Sequence, residues 1–87
     1  MTVSNSDEKI SQLEASVTEE LGAVLRGLPA DFNAKTPLMS SGLLDSFAAL
    51  ELVQRTEAKL KISLKDDDLT PENFETVKSL AQLLARY

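Results

Sequence analysis

The 87-residue sequence contains neither cysteine nor histidine. Disulfides, a Cys/His zinc site, a thiol nucleophile and a histidine general base are therefore all excluded. Most familiar hydrolytic and redox chemistries fall with them, and we do not expect an enzyme. No apolar run is long enough to span a bilayer, and the start, Met1 to Lys9, lacks the basic and apolar regions of a signal peptide. The expectation is a cytoplasmic protein. Basic residues are also few, 9 Lys+Arg against 14 Asp+Glu, a formal charge of −5. Such a chain repels nucleic-acid phosphates and anionic membranes and is drawn to basic patches on other proteins. What remains, 43% hydrophobic and 26% charged residues, describes an ordinary folded domain. At this length folding buries only about 60% of the chain's surface, so the core must be efficient.

Periodicity supplies that core. Ile10, Leu13, Val17, Leu21, Val24, Leu25 and Leu28 recur at steps of three and four, one stripe of a helix. Asn5 or Ser6 is placed to cap its start, and Gly27 with Pro29 to stop it. Gly22 interrupts the stripe, as a close contact or an early break would. Residues 29–45 show no helical period and form a long loop, with Phe32, Leu38, Leu43 and Leu44 available to pin it. A second helix is expected over Ser46–Leu60, with Ala49, Leu52, Val53, Thr56 and Leu60 on its buried wedge. Glu51 and Arg55 are spaced for an i,i+4 ion pair on the opposite side. Phe47 and Leu50 lie outside the wedge, apolar residues beyond what the core requires.

Lys61–Lys65 alternates as a short extended link does. Thr70 as cap, Pro71 at the first helical position, and Leu69 paired with Phe74 as a hydrophobic staple predict a short third helix. A last helix is expected from about Thr76, burying Val77, Leu80, Ala81 and Leu84. The reading is a single all-α domain over residues 6–87, a four-helix bundle of three longer helices and one short one, behind a flexible segment 1–5. Asp66-Asp67-Asp68 lacks the glycine and distal glutamate of a calcium loop and reads as a solvated run, with no metal assigned.

Asp45-Ser46-Phe47 closes the long loop and opens the second helix. Taken alone, the Asp-Ser pair reads as a helix cap. In its setting the chain resembles the acyl carrier protein family, including peptidyl carrier domains. The resemblance spans the first helix to Leu84. It rests on the long first helix, the loop ending in Asp45-Ser46-Phe47, the Leu50-Glu51-Leu52-Val53 run, Ile62-Ser63-Leu64, and the Leu69–Phe74 segment before the final helix. It implies a 4′-phosphopantetheine arm on Ser46, drawn from coenzyme A by a phosphopantetheinyl transferase, which holds an acyl or aminoacyl group as a thioester. Implied partners are that transferase, an acyl- or aminoacyl-loading ligase and a downstream acyltransferase or synthase. Asp45, Phe47, Leu50, Glu51 and Gln54 are the expected partner-binding residues, and a monomer is the simplest state. Leu44 stands where the family commonly has Gly, Phe47 where it commonly has Leu, and the second helix carries Arg55 and Lys59. These departures point away from fatty acid synthesis, toward stand-alone carriers of aminoacyl or specialised acyl groups. The rival reading is an unmodified helical interaction domain, with Ser46 as a cap residue and Phe47 and Leu50 as a docking patch.

Overall fold

The computed structural model describes residues 5–87. It contains three α-helices, α1 (Asn5–Leu25), α2 (Ser46–Leu60) and α3 (Val77–Leu84), and one 3-10 turn at Asp66–Asp68. Among the described residues there is no strand, and no helix is long and apolar enough to cross a membrane. The flexible segment expected at residues 1–5 lies outside the described residues except for Asn5, where α1 begins. Asn5 and Ser6 are thus helical residues, not the cap.

Both long helices end on left-handed residues that are not glycine. Arg26 takes φ 58° after α1, and the Gly27 amide reaches back to the Gly22 carbonyl at 2.9 Å. Lys61 takes φ 58° after α2, and the Ile62 amide reaches the Glu57 carbonyl at 3.1 Å. This six-to-one bond across a left-handed residue satisfies carbonyls that the helix end leaves open. Gly22 does not break α1, and a Cβ there would meet only the Leu28 side chain, at an ordinary 3.8 Å.

α1 packs against both α2 and α3, which touch one another little. Val17 and Leu21 of α1, Leu52 and Val53 of α2, and Val77, Leu80, Leu83 and Leu84 of α3 form the core. Leu38 and Leu44 enter the same core from the long loop, with Phe32 and Leu43 packed at its edge. The loop is therefore anchored along its length. It is also stitched to α3, since the Lys78 amide donates to the Ala34 carbonyl at 3.0 Å.

The short helix expected at Leu69–Phe74 is present only in part, as 3-10-type turns. The 3-10 turn lies just before it, and Thr70–Glu75 is a run of i→i+3 turns with amides of Asn73, Phe74 and Glu75 bonded to Thr70, Pro71 and Glu72. Thr70 still caps, its Oγ1 accepting the Asn73 amide at 3.4 Å. The segment makes no i→i+4 bonds and runs directly into Thr76, the N-cap of α3. There Thr76 Oγ1 accepts the Ser79 amide at 2.9 Å and Ser79 Oγ accepts the Thr76 amide at 3.2 Å, a reciprocal capping box.

Candidate functional site

Asp45 fixes where α2 begins. Its backbone is extended, and its carboxylate accepts the Ala48 amide at 2.8 Å. Ser46 is consequently the first helical residue, exposed and held on a rigid element. Three serines lie in this region. Ser40 Oγ donates to the Glu75 carboxylate and Ser41 Oγ to the Pro37 carbonyl at 2.7 Å. The Ser46 hydroxyl is not drawn into these loop bonds. Its setting suits attachment of a phosphodiester: accessible, at a helix start whose amides favour an anion, and with no cysteine or histidine in the chain to react with a tethered thioester.

Advancing 100° per residue from Ser46, the residues Leu50, Gln54, Phe47 and Glu51 follow at about 40°, 80°, 100° and 140° around the helix. All four are exposed, with Phe47 at 82% and Leu50 at 55%. The opposite sector carries Leu52, Val53 and Thr56, all buried. Four of the five residues expected for partner binding, Phe47, Leu50, Glu51 and Gln54, thus lie on one continuous surface beside Ser46, and Asp45 sits at the cap that precedes it. Phe47 and Leu50 do not pack under the loop.

Ser46 sits on the border between the two sectors, and that border faces a hollow. Because α2 and α3 both lie on α1 and not on each other, a gap of about 210 Å³ opens between α2 and the approach to α3. Ser46, Leu50 and Val53 line it from α2, Leu69 and Phe74 from the approach, and Met39 from the long loop. The lining is mostly apolar. Met39 and the Leu69–Phe74 segment carried no sequence signal for this role, since their convergence depends on the helix arrangement.

Charge around the site is largely paired. Glu51 meets Arg55 at 3.4 Å, the i,i+4 pair that the spacing predicts. Arg55 also reaches Glu20 at 3.5 Å, and Lys59 reaches Glu19 at 3.1 Å and Glu20 at 3.3 Å. The hydrogen bond that the Lys59 ammonium donates to Glu19 is the main reason that the Lys59 pKa is raised above 10.5. The cations of α2 are thus directed toward carboxylates of α1. Among the described residues no group of three or more His, Cys, Asp or Glu is arranged to hold a metal ion. Asp68 instead accepts the Tyr87 hydroxyl at 2.6 Å, the main cause of a raised Tyr87 pKa.

Comparison with known proteins identifies the class. Residues 11–84 match the family described as "Phosphopantetheine attachment site". The chain belongs to this family and is a carrier protein that bears 4′-phosphopantetheine covalently. It is 32% identical over 62 residues to the "Probable acyl carrier protein PigG" of a Serratia species, covering 71% of each chain. It is 26% identical over 83 residues to "Aminoacyl carrier protein 2" of Bradyrhizobium diazoefficiens, covering 95% of this chain and 86% of that protein. No solved structure matches it significantly.

Proposed function

We propose that Ser46 is the attachment point of the arm, and that the protein delivers an acyl or aminoacyl group to successive enzymes without catalysing a step itself. The observation that carries this reading is the exposed Ser46 hydroxyl at the first position of α2, left out of the bonds that engage Ser40 and Ser41. The arm supplies the thiol that the chain lacks and holds its cargo as a thioester. Asp45 fixes the helix start, and the apolar side chains of Phe47 and Leu50, with Glu51 and Gln54, form the surface that partners contact. Such contacts bury the two apolar groups in a partner's hollow while the polar pair sets orientation. Tethering keeps the cargo at high local concentration while each protein contact stays weak.

Partners follow from the chemistry: a phosphopantetheinyl transferase, a loading ligase, and an acyltransferase or synthase. The similarity to one acyl and one aminoacyl carrier supports either class of cargo, and Leu44, Phe47 and the mixed charge of α2 favour a specialised pathway over bulk fatty acid synthesis. We assign residues 6–87 to one carrier domain, monomeric and cytoplasmic. Incubation with coenzyme A and a broad-specificity transferase, followed by intact-mass measurement, tests the assignment. One added arm that is absent from Ser46→Ala supports it. An arm retained by Ser46→Ala overturns the site, and an unchanged mass with several transferases favours the unmodified docking domain.

A further inference from the structure

Glu75 lies just before α3, yet it holds three successive residues of the loop that leads to Ser46. Its backbone carbonyl accepts the Leu38 amide at 2.7 Å. One carboxylate oxygen, Oε1, accepts the Met39 and Ser40 amides, each at 2.9 Å, and Oε2 accepts the Ser40 hydroxyl. Hydrogen bonds to an ionised acceptor are roughly twice as strong as neutral ones, and three converge here. The loop carries this restraint onward. The Leu38 carbonyl accepts the Leu44 amide at 2.9 Å, and Leu44 adjoins the cap Asp45. Leu38 and Leu44 are fully buried, so both ends of this closed segment are seated in the core. Met39, held by the same carboxylate, lines the hollow beside Ser46.

We propose that Glu75 is a positioning residue for Ser46: it clamps the Leu38–Leu44 segment so that the hydroxyl and the adjoining wall of the hollow are presented in one arrangement to the modifying enzyme. The proposal rests on Ser46 being the modified residue. It goes beyond that reading by giving a remote side chain a role in the efficiency of modification. Catalysis between two bound partners is steep in geometry, where a displacement of about 1 Å costs up to about a hundredfold. Glu75 touches neither the hydroxyl nor the Phe47–Gln54 surface, so its loss acts on the rate within the complex and not on docking.

The test treats the whole protein as substrate of a phosphopantetheinyl transferase with coenzyme A, comparing wild type, Glu75→Gln and Ser40→Ala. The expected result for Glu75→Gln is a kcat lower by about tenfold with the KM for the carrier changed by less than about twofold. Ser40→Ala, which removes one of the three carboxylate bonds, falls between this variant and wild type. Faster amide exchange at Met39 and Ser40, with helical circular dichroism retained, accompanies the loss in Glu75→Gln. An unchanged kcat despite faster exchange, or a loss confined to KM, overturns the proposal. If Glu75→Gln does not fold, Ser40→Ala decides alone: a reduced kcat supports the clamp and an unchanged one overturns it. Failure to modify the wild type, or modification of Ser46→Ala, instead overturns the assignment of Ser46.

Discussion

The Asp45 carboxylate accepts the Ala48 amide at 2.8 Å, and this one bond makes Ser46 the first residue of α2 and not the last residue of the loop. Removing it by Asp45→Ala is expected to lower unfolding free energy by about 1 kcal/mol, the usual value of an N-cap. Asp45→Asn keeps an acceptor oxygen and is expected to restore most of that loss. Urea denaturation of the two variants measures the cap, and transferase kinetics of the folded Asn variant isolate any role of the charge in partner binding.

Phe47 is 82% exposed and leaves little to lose on truncation. Phe47→Ala is expected to change stability by less than about 0.5 kcal/mol and to leave the circular dichroism of the helices intact. Transferase turnover is expected to fall, because Phe47 belongs to the partner surface proposed above. Loss of helicity on this substitution would return Phe47 to the core.

Thr56 is buried at 3% exposure, and its Oγ1 has no hydrogen-bond partner. A buried hydroxyl without a partner costs stability that an apolar replacement recovers. Thr56→Val is expected to raise unfolding free energy by about 1 kcal/mol, seen as a higher urea midpoint with an unchanged slope. A lower midpoint would mean that the hydroxyl bonds a backbone carbonyl of its own helix in solution.

Glu75 titrates below the ordinary glutamate value of 4.5, chiefly because the Ser40 hydroxyl donates to it, with the Ser40 and Met39 amides adding to the effect. A carboxyl whose pKa is lower in the folded state stabilises the fold fully above the unfolded value. That contribution is lost as pH falls below 4.5 and through the folded value. Wild type is therefore expected to lose stability on acidification more steeply than Glu75→Gln. The difference between the two in urea midpoint is expected to narrow from neutral pH into the acid range.

The three main helices were legible because each carries its own periodic stripe, and α2 has the bounds predicted, Ser46–Leu60. Asp45-Ser46 was legible because a cap and a helix start are local events. The manner in which α2 closes was not, since Lys61 occupies a left-handed position where composition offers no glycine. The short helix expected at Leu69–Phe74 was legible only in part: Thr70 and Pro71 are sound start signals, but the segment makes i→i+3 bonds alone before the capping box at Thr76 opens α3. Glu75 was overlooked entirely. Its partners, Met39 and Ser40, lie 36 and 35 residues away in the chain, and no spacing rule connects a single carboxylate to them. The hollow was invisible likewise, because it is a gap left by two helices leaning on a third.

Leu38 and Leu44, buried at 0% and 1% exposure, anchor both ends of the segment that precedes Asp45. For an arm carried by Ser46 this makes the protein end a fixed pivot. A pull on the arm by an enzyme is borne by the packed leucines and the first turn of α2, with no slack in the loop to pay out. The radius over which cargo travels is then set by the prosthetic group's own bonds, and an enzyme whose catalytic centre lies deeper than that radius must bring its own surface closer to the carrier.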